Sequence, residues 1–250
     1  MIKIQLKDKI SVVTGGSKGL GKEIAKALAA EGSHVIICSR SKKDLLKVCD
    51  EIKSTDGKCS YSVLDVTKVN DVNKFVEDIV KSHGKIDILI NNAGYVTECK
   101  PIERNTSKEF KDCFETNVYS IFYFFKKIIP LMRKQNDGFI VNISSMAGKR
   151  GVPNLAAYSA SKFGTIGLTQ AVAKELKNTS VRCISVCPSG MNTEMREKVF
   201  GREDAQKQQD PKLVASIIRD ILLKKIAVPN GGDVVILNNK ILSINEAPEF

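Results

Sequence analysis

Along this chain, short and mostly apolar runs alternate with stretches in which apolar residues recur every three or four positions. The runs at 10–13, 34–38, 61–64, 86–90, 139–143, 181–186 and 233–237 have the length and β-branched content of buried strands. The intervening periods predict amphipathic helices over about 20–31, 42–56, 69–82, 114–134, 156–176 and 211–223. Pro130 falls inside the fourth of these and predicts a kink there. Residues 188–209 are polar and follow neither period, and a stretch of that length predicts a lid over a site, around 188–210. The alternation predicts an α/β fold: a parallel sheet covered by helices on both faces, in one domain over 1–250, with 233–237 as its last strand.

In such sheets chemistry gathers where strands end, and several strand ends here carry distinctive residues. The first runs into Thr14-Gly15-Gly16-Ser17-Lys18-Gly19-Leu20-Gly21 and then a helix. Glycines allow a sharp turn close to a diphosphate, and the helix start supplies free amides. A glycine turn can also be purely structural. The second strand ends in Ser39-Arg40 without an acid. A carboxylate there would bind a ribose 2′-hydroxyl, whereas Arg40, with Lys18 as a second cation, suits a 2′-phosphate. Arg40 otherwise reads as an ordinary charge at a helix start. The balance favours NADP(H), with NAD less favoured.

The fifth predicted strand ends at Ser144-Ser145, and Tyr158 and Lys162 follow thirteen and seventeen positions after Ser145. On a helix, Tyr158 and Lys162 share a face. A hydroxyl, a phenol and an amine so arranged can polarise a carbonyl and deliver a proton, the ammonium being expected to draw the phenol's pKa downward. The same Tyr-x-x-x-Lys spacing occurs at Tyr123 and Lys127, but Phe110 stands thirteen residues before Tyr123 and can polarise nothing. Tyr123 lies in an apolar helical run and reads as packing.

Composition narrows the classes. A chain of 250 residues with 42% hydrophobic content can bury a sizeable core, and no apolar run is long enough to span a bilayer. The first nine residues alternate apolar and charged positions without a signal-peptide core, so a cytoplasmic location is expected. Seven scattered cysteines without a Cys-x-x-Cys pair suggest thiols rather than a disulfide framework. His34 and His83 are distant in sequence, offer no metal-ligand spacing and read as structural or solvated; no metal is expected. The net charge of +11 is spread in small groups, which argues against nucleic acid and suits an anionic cofactor or substrate.

Together these segments resemble the short-chain dehydrogenase/reductase family from about residue 8 to 237, through Thr14–Gly21, Asp65-Val66, Asn91-Asn-Ala-Gly94, Asn117, Ser145, Tyr158-x-x-x-Lys162 and Pro188-Ser-Gly-Met-Asn-Thr193. The resemblance implies a single-domain Rossmann fold with a doubly wound sheet. It implies that Tyr158 is the general acid in ketone reduction and the base in alcohol oxidation, and that Ser145 holds the substrate oxygen. Lys162 would hold the nicotinamide ribose and tune the phenol, and Asn117 would hold a water linking Lys162 to solvent. Gly15, Ser17, Gly19 and Leu20 would meet the diphosphate, and Asp65 and Val66 the adenine. Asn91, Ala93 and Gly94 would line the cofactor, with Pro188, Gly190 and Thr193 at its nicotinamide end. Each residue also has a bland use: Asn117 supporting a helix, Ser145 capping one, Asp65 forming a turn.

Tyr95, Met146, Val152, Leu155, Met191 and Met195 are the candidate apolar lining for a small carbonyl or alcohol substrate. A 3-oxoacyl-thioester reductase is the second enzymatic reading, although Asn136 and Thr179 stand where such reductases carry docking arginines. A catalytically silent cofactor-binding sensor or scaffold is a third. The resemblance also implies a homotetramer or homodimer paired through the helices 114–134 and 156–176.

Overall fold

The computed structural model describes residues 6–248; the first five residues of the charge-alternating N-terminus lie outside them, as do residues 249–250. Seven parallel strands and one antiparallel strand form a single sheet in the order β3-β2-β1-β4-β5-β6-β7-β8. The parallel strands are β1 (Ile10–Thr14), β2 (His34–Ser39), β3 (Lys58–Val63), β4 (Ile88–Asn91), β5 (Gly138–Ile143), β6 (Val181–Pro188) and β7 (Asp233–Leu237). Helices α1 (Gly19–Ala30), α2 (Lys42–Lys53), α3 (Val69–His83), α4 (Ser107–Phe114), α5 (Ser120–Gln135) and α6 (Ala156–Glu175) are joined later by α7 (Glu194–Phe200), α8 (Arg202–Gln206) and α9 (Pro211–Leu222).

Successive strand residues face opposite ways, so a two-sided sheet needs apolar residues at every position. Val13, Ile37, Ile90, Val141 and Val186 face a core with α1, α2 and α9, filled by Ile24, Leu28, Leu45 and Ile218. Val12, Ile36, Leu89, Ile140 and Cys183 face the opposite core with α3, α5 and α6, filled by Phe75, Phe124, Ile128 and Met132. Burying each of these larger side chains contributes roughly 1.5–3 kcal/mol. The strand order reverses between β1 and β4, so the chain leaves those two strands in different directions and a crevice opens at their C-terminal ends.

Four expectations change. The strand 233–237 is not the last: β8 (Lys240–Asn245) pairs with it through a hairpin whose central Asn238 and Asn239 have φ of 50° and 63°. Asparagine tolerates the left-handed region that a two-residue hairpin turn demands, and the strand's alternation of half-buried and exposed residues lacks the solid apolar run of its neighbours. The helix expected at 114–134 is instead α4, a wide π-helical turn at Glu115–Tyr119, and α5, which runs on through Pro130. Residues 188–209 contain α7 and α8, short helices that hydrophobic periodicity misses. Finally, His34 and His83 are not apart in space: their rings meet edge-on with centroids 4.7 Å apart, and burial, helped by His83, lowers the His34 pKa.

Candidate active site

At the crevice, two strand ends are knitted into one platform. The Thr14 hydroxyl accepts from the N–H groups of Asn92 and Ala93, both at 2.9 Å, and the Asn92 amide donates to the Thr14 carbonyl at 2.8 Å. Gly15 has a φ of +62°, and a Cβ there would lie 3.0 Å from the Ala93 Cα. No side chain of that turn could stand between the two segments. Lys18, in extended conformation, precedes α1 without a side-chain cap, and the first turn of the helix holds no acid. That cradle, a glycine turn at the start of a helix whose own first turn carries no acid, fits a diphosphate. Ser17 sits half-buried in it, while the Leu20 side chain is buried in the core, leaving only its backbone for a ligand.

Around the residues expected to meet adenosine the picture is mixed. Arg40 is exposed after β2, and Val66 is buried against α3. The Asp65 carboxylate accepts from the Thr67 N–H at 3.0 Å and the Thr67 hydroxyl at 2.8 Å, so it does form a turn. Burial pushes its carboxyl upward, but those bonds and the nearby Arg40 and Lys68 charges hold it below the usual value. Lys18 is not the free cation expected from the sequence: its ammonium lies 3.3 Å from Asp44 and 3.2 Å from Glu194. Nor does Asn91 present its side chain to the crevice. It is buried and donates to Asn142 at 2.8 Å within the sheet.

The chemical residues come from β5, α6, the wide turn and the end of β4. Ser145 follows β5; its hydroxyl accepts from the Ala147 N–H at 3.1 Å, and it stands near enough to the Tyr158 phenol to favour that group's ionisation. Lys162 stands one turn further along α6, its side chain 4% exposed, with Nζ 5.7 Å from the Tyr158 ring centre and donating to the Ile143 carbonyl at 2.8 Å. The Asn117 amide donates to the Tyr95 carbonyl at 2.9 Å and to the Ser161 hydroxyl at 2.8 Å, and its oxygen accepts from the Tyr95 N–H at 2.8 Å. A Cβ on Gly94 would sit 3.5 Å from the Asn117 amide oxygen and 3.7 Å from Lys162 Nζ, which locates the end of β4 beside both.

The electrostatics correct one expectation. Burial pushes the Tyr158 phenol up to about 12, against the lowering effect of nearby Ser145, and burial pushes the Lys162 ammonium down to about 8. Desolvation outweighs the attraction expected from the i, i+4 spacing, because Lys162 directs its proton to a carbonyl rather than to the phenol.

The six apolar candidates do not share one wall. Tyr95 is tied by its backbone to Asn117, Leu155 is buried before α6, and Met146 packs on Ile166, Cys187 and Val235. Met191 instead packs on the core beneath α1 and α9, while Met195 is 42% exposed on α7. The reason is a short bridge between Met191 and Gln209, reinforced by the Asn192 N–H donating to the Gln209 carbonyl at 2.9 Å. Beside Pro188, the last residue of β6, Gly190 lies so close to Gln208 that a Cβ would come within 2.2 Å of its side-chain oxygen. Thr193 caps α7 and lies over Gly19, where a Cβ would be 3.2 Å from its methyl. Sequence reasoning missed Ser161, Asp44 and Glu194. Ser161, three residues after Tyr158, is one of several polar residues buried on α6 with Thr165 and Thr169, so its sequence signal was weak.

The family model for the short chain dehydrogenases matches residues 9–204. The chain belongs to that family. This short-chain dehydrogenase is therefore an oxidoreductase, and it resembles 3-oxoacyl-carrier-protein reductases. It is 35% identical over 196 residues to a Thermotoga maritima protein named 3-oxoacyl-[acyl-carrier-protein] reductase FabG, covering 78% of this chain and 79% of that one. It is 33% identical over 225 residues to an Arabidopsis thaliana NADPH-dependent pterin aldehyde reductase, covering 90% and 92%. Among solved structures, levodione reductase matches at a TM-score of 0.88 and 28% identity, over 93% of this chain and 97% of that one. A variant actinorhodin polyketide ketoreductase with NADPH matches at 0.86 and 27%, over 92% and 96%. No described helix is long and apolar enough to cross a membrane.

Proposed function

We propose that this short-chain dehydrogenase is an NADP(H)-dependent oxidoreductase that reduces a ketone or aldehyde to an alcohol and runs the reverse reaction. The carrying observation is the buried cluster in which the Tyr158 phenol lies near Ser145 and Lys162 Nζ stands 5.7 Å from the Tyr158 ring centre. NADP(H), held by the glycine cradle, would supply or accept the hydride. The protein's part is the proton. A phenol at about 12 is fully protonated near neutral pH, which suits donation to a carbonyl oxygen. Ser145 orients that oxygen by a second hydrogen bond. Asn117 and Ser161 fix the start of α6 against the Tyr95 segment, so the phenol and the ammonium keep their spacing. Exposed Arg40 favours a 2′-phosphate, and the NADPH named with two similar proteins agrees. The exposed aromatic side chains of Phe122 on α5 and Phe163 on α6 support pairing of subunits through those helices, as a homotetramer or homodimer.

A 3-oxoacyl thioester, on a carrier protein or CoA, is the second reading, favoured by the name of the Thermotoga relative. Arg133 does not stand free for docking, since its guanidinium donates to the Glu175 carbonyl at 2.8 Å. A silent sensor or scaffold would have no need of the buried Lys162 and its partners. Steady-state rates on ketones, aldehydes and acetoacetyl thioesters, each with NADPH and NADH, test the proposal. Oxidation of NADPH by carbonyl compounds supports it; NADPH binding with no turnover on any of them would sink it.

A further inference from the structure

β3 is the outermost strand at one end of the sheet, and α2 packs against it. The chain passes from one to the other through a tight return. Thr55 and Gly57 both donate their N–H groups to the Ile52 carbonyl, at 3.2 and 3.1 Å, and Asp56 takes a φ of 58°. That return sets Cys49, one turn before the end of α2, beside Cys59, the second residue of β3. Their sulfurs lie 2.8 Å apart, with the residues 1% and 7% exposed. A covalent S–S bond is ~2.05 Å, so closure needs less than about 1 Å of sulfur movement. Two thiols so placed in an apolar core serve no step of the proton or hydride chemistry, since α2 and β3 lie beyond the crevice.

We propose that Cys49 and Cys59 are a reversible modification site: a peroxide oxidises them to an intramolecular disulfide that braces α2 to the sheet edge. The Cys49 thiolate attacks one oxygen of the peroxide, the O–O bond breaks, and Cys49 becomes a sulfenic acid as hydroxide leaves. The Cys59 thiol then attacks the Cys49 sulfur; the S–S bond forms, the S–OH bond breaks and water departs. Hydrogen peroxide is reduced to two waters overall, and two cysteine thiols are oxidised to one disulfide. Chemistry assigns the order of attack. The hydrogen bond from Cys59, with the Lys53 charge adding to it, holds the Cys49 thiol below its usual value, whereas the same contact and burial push Cys59 up. Peroxide is small, and the pair lies at the edge of the sheet, where local opening admits it. The brace joins the segment that starts after Arg40 to the strand that leads to Asp65.

The test uses the full chain with Cys99→Ser, because Cys99 is exposed and oxidises on its own account. The protein is treated with hydrogen peroxide, denatured, alkylated, digested and mapped by mass spectrometry, before and after reduction with dithiothreitol. A Cys49–Cys59 cross-linked peptide that dithiothreitol releases, with Cys38, Cys113, Cys183 and Cys187 still alkylated, is expected. The oxidised form should melt roughly 5 °C higher than the reduced form, and adding Cys49→Ser should remove both the cross-link and the shift. Recovery of Cys49 and Cys59 both alkylated, or of Cys49 as an irreversible sulfinic acid without a cross-link, overturns the proposal; so does a cross-link that leaves the melting midpoint unchanged.

Discussion

The Lys162 ammonium and the Ile143 carbonyl oxygen lie 2.8 Å apart, so the buried cation of α6 is anchored to the last residue of β5. Its folded pKa of about 8 lies below the ordinary lysine value of 10.5, so between those limits the unfolded chain holds more protons and stability rises with pH. Below about 8 the full cost of burying the charge is present. Lys162→Met removes that cost. Chemical denaturation should show the variant's advantage over the wild type shrinking by about 2–3 kcal/mol between pH 7.5 and 10. A constant difference across that range would show that Lys162 keeps its ordinary proton affinity.

Tyr158 works in the opposite pH direction. Its phenol is raised from 10 to about 12, so the stability it contributes is present below pH 10 and is lost as pH climbs toward 12. In catalysis, reduction rates should stay level near neutrality while alcohol oxidation accelerates with rising pH. Tyr158→Phe should lower turnover by ~10²–10⁴-fold while NADPH still quenches or shifts fluorescence on binding. Tyr123→Phe should leave the rates within about twofold, since that ring packs beside Tyr119 of the wide turn and Phe122 of α5. Equal loss in both variants would contradict the division of roles.

Removing the Asn117 amide takes the side-chain partner from both the N–H and the C=O of Tyr95 and one of two hydrogen bonds from the Ser161 hydroxyl, which still donates to the Tyr158 carbonyl. Asn117→Ala should destabilise the fold by roughly 2–4 kcal/mol, a melting shift of about 5–10 °C. Differential scanning calorimetry checks it.

Arg40→Ala should raise KM for NADPH about 10-fold or more while altering KM for NADH little, because a charge-assisted phosphate contact is worth roughly 1.5–3 kcal/mol. Glu194→Gln should act the other way. With one of its two carboxylate partners neutralised, Lys18 is freer for phosphate, and KM for NADPH should fall. Paired kinetics with both cofactors separate these effects.

Much of this arrangement was legible in the residues. Unbroken apolar runs such as Ile88–Ile90 and Phe139–Val141 suit a sheet buried on both faces, so the parallel strands announced themselves. Tyr158 and Lys162 were readable from one helical turn. The hairpin at Asn238-Asn239 was harder, because its outer strand is half-exposed and its turn uses asparagine instead of glycine. Two features lay out of reach. Which way Met191 turns depends on a bridge to Gln209 on the far side of α7 and α8. Whether Lys18 is free depends on Asp44 and Glu194, which reach it from two other helices. Periodicity describes how a segment meets the core, not which distant surface residue it meets.

The wide turn at Glu115–Tyr119 winds in one more residue than an α-helix would place there. Every side chain after it is thereby advanced by about 100° around the axis. The stripe Ile121, Phe124, Ile128 and Met132 points into the sheet only because of that advance. Trimming a single residue would swing the whole stripe toward solvent and drag Asn117 off Tyr95, whereas the loop before Ser107 could absorb a change in length. The phase of a long helix and the footing of Tyr158, the proposed proton donor, are set by the same surplus residue.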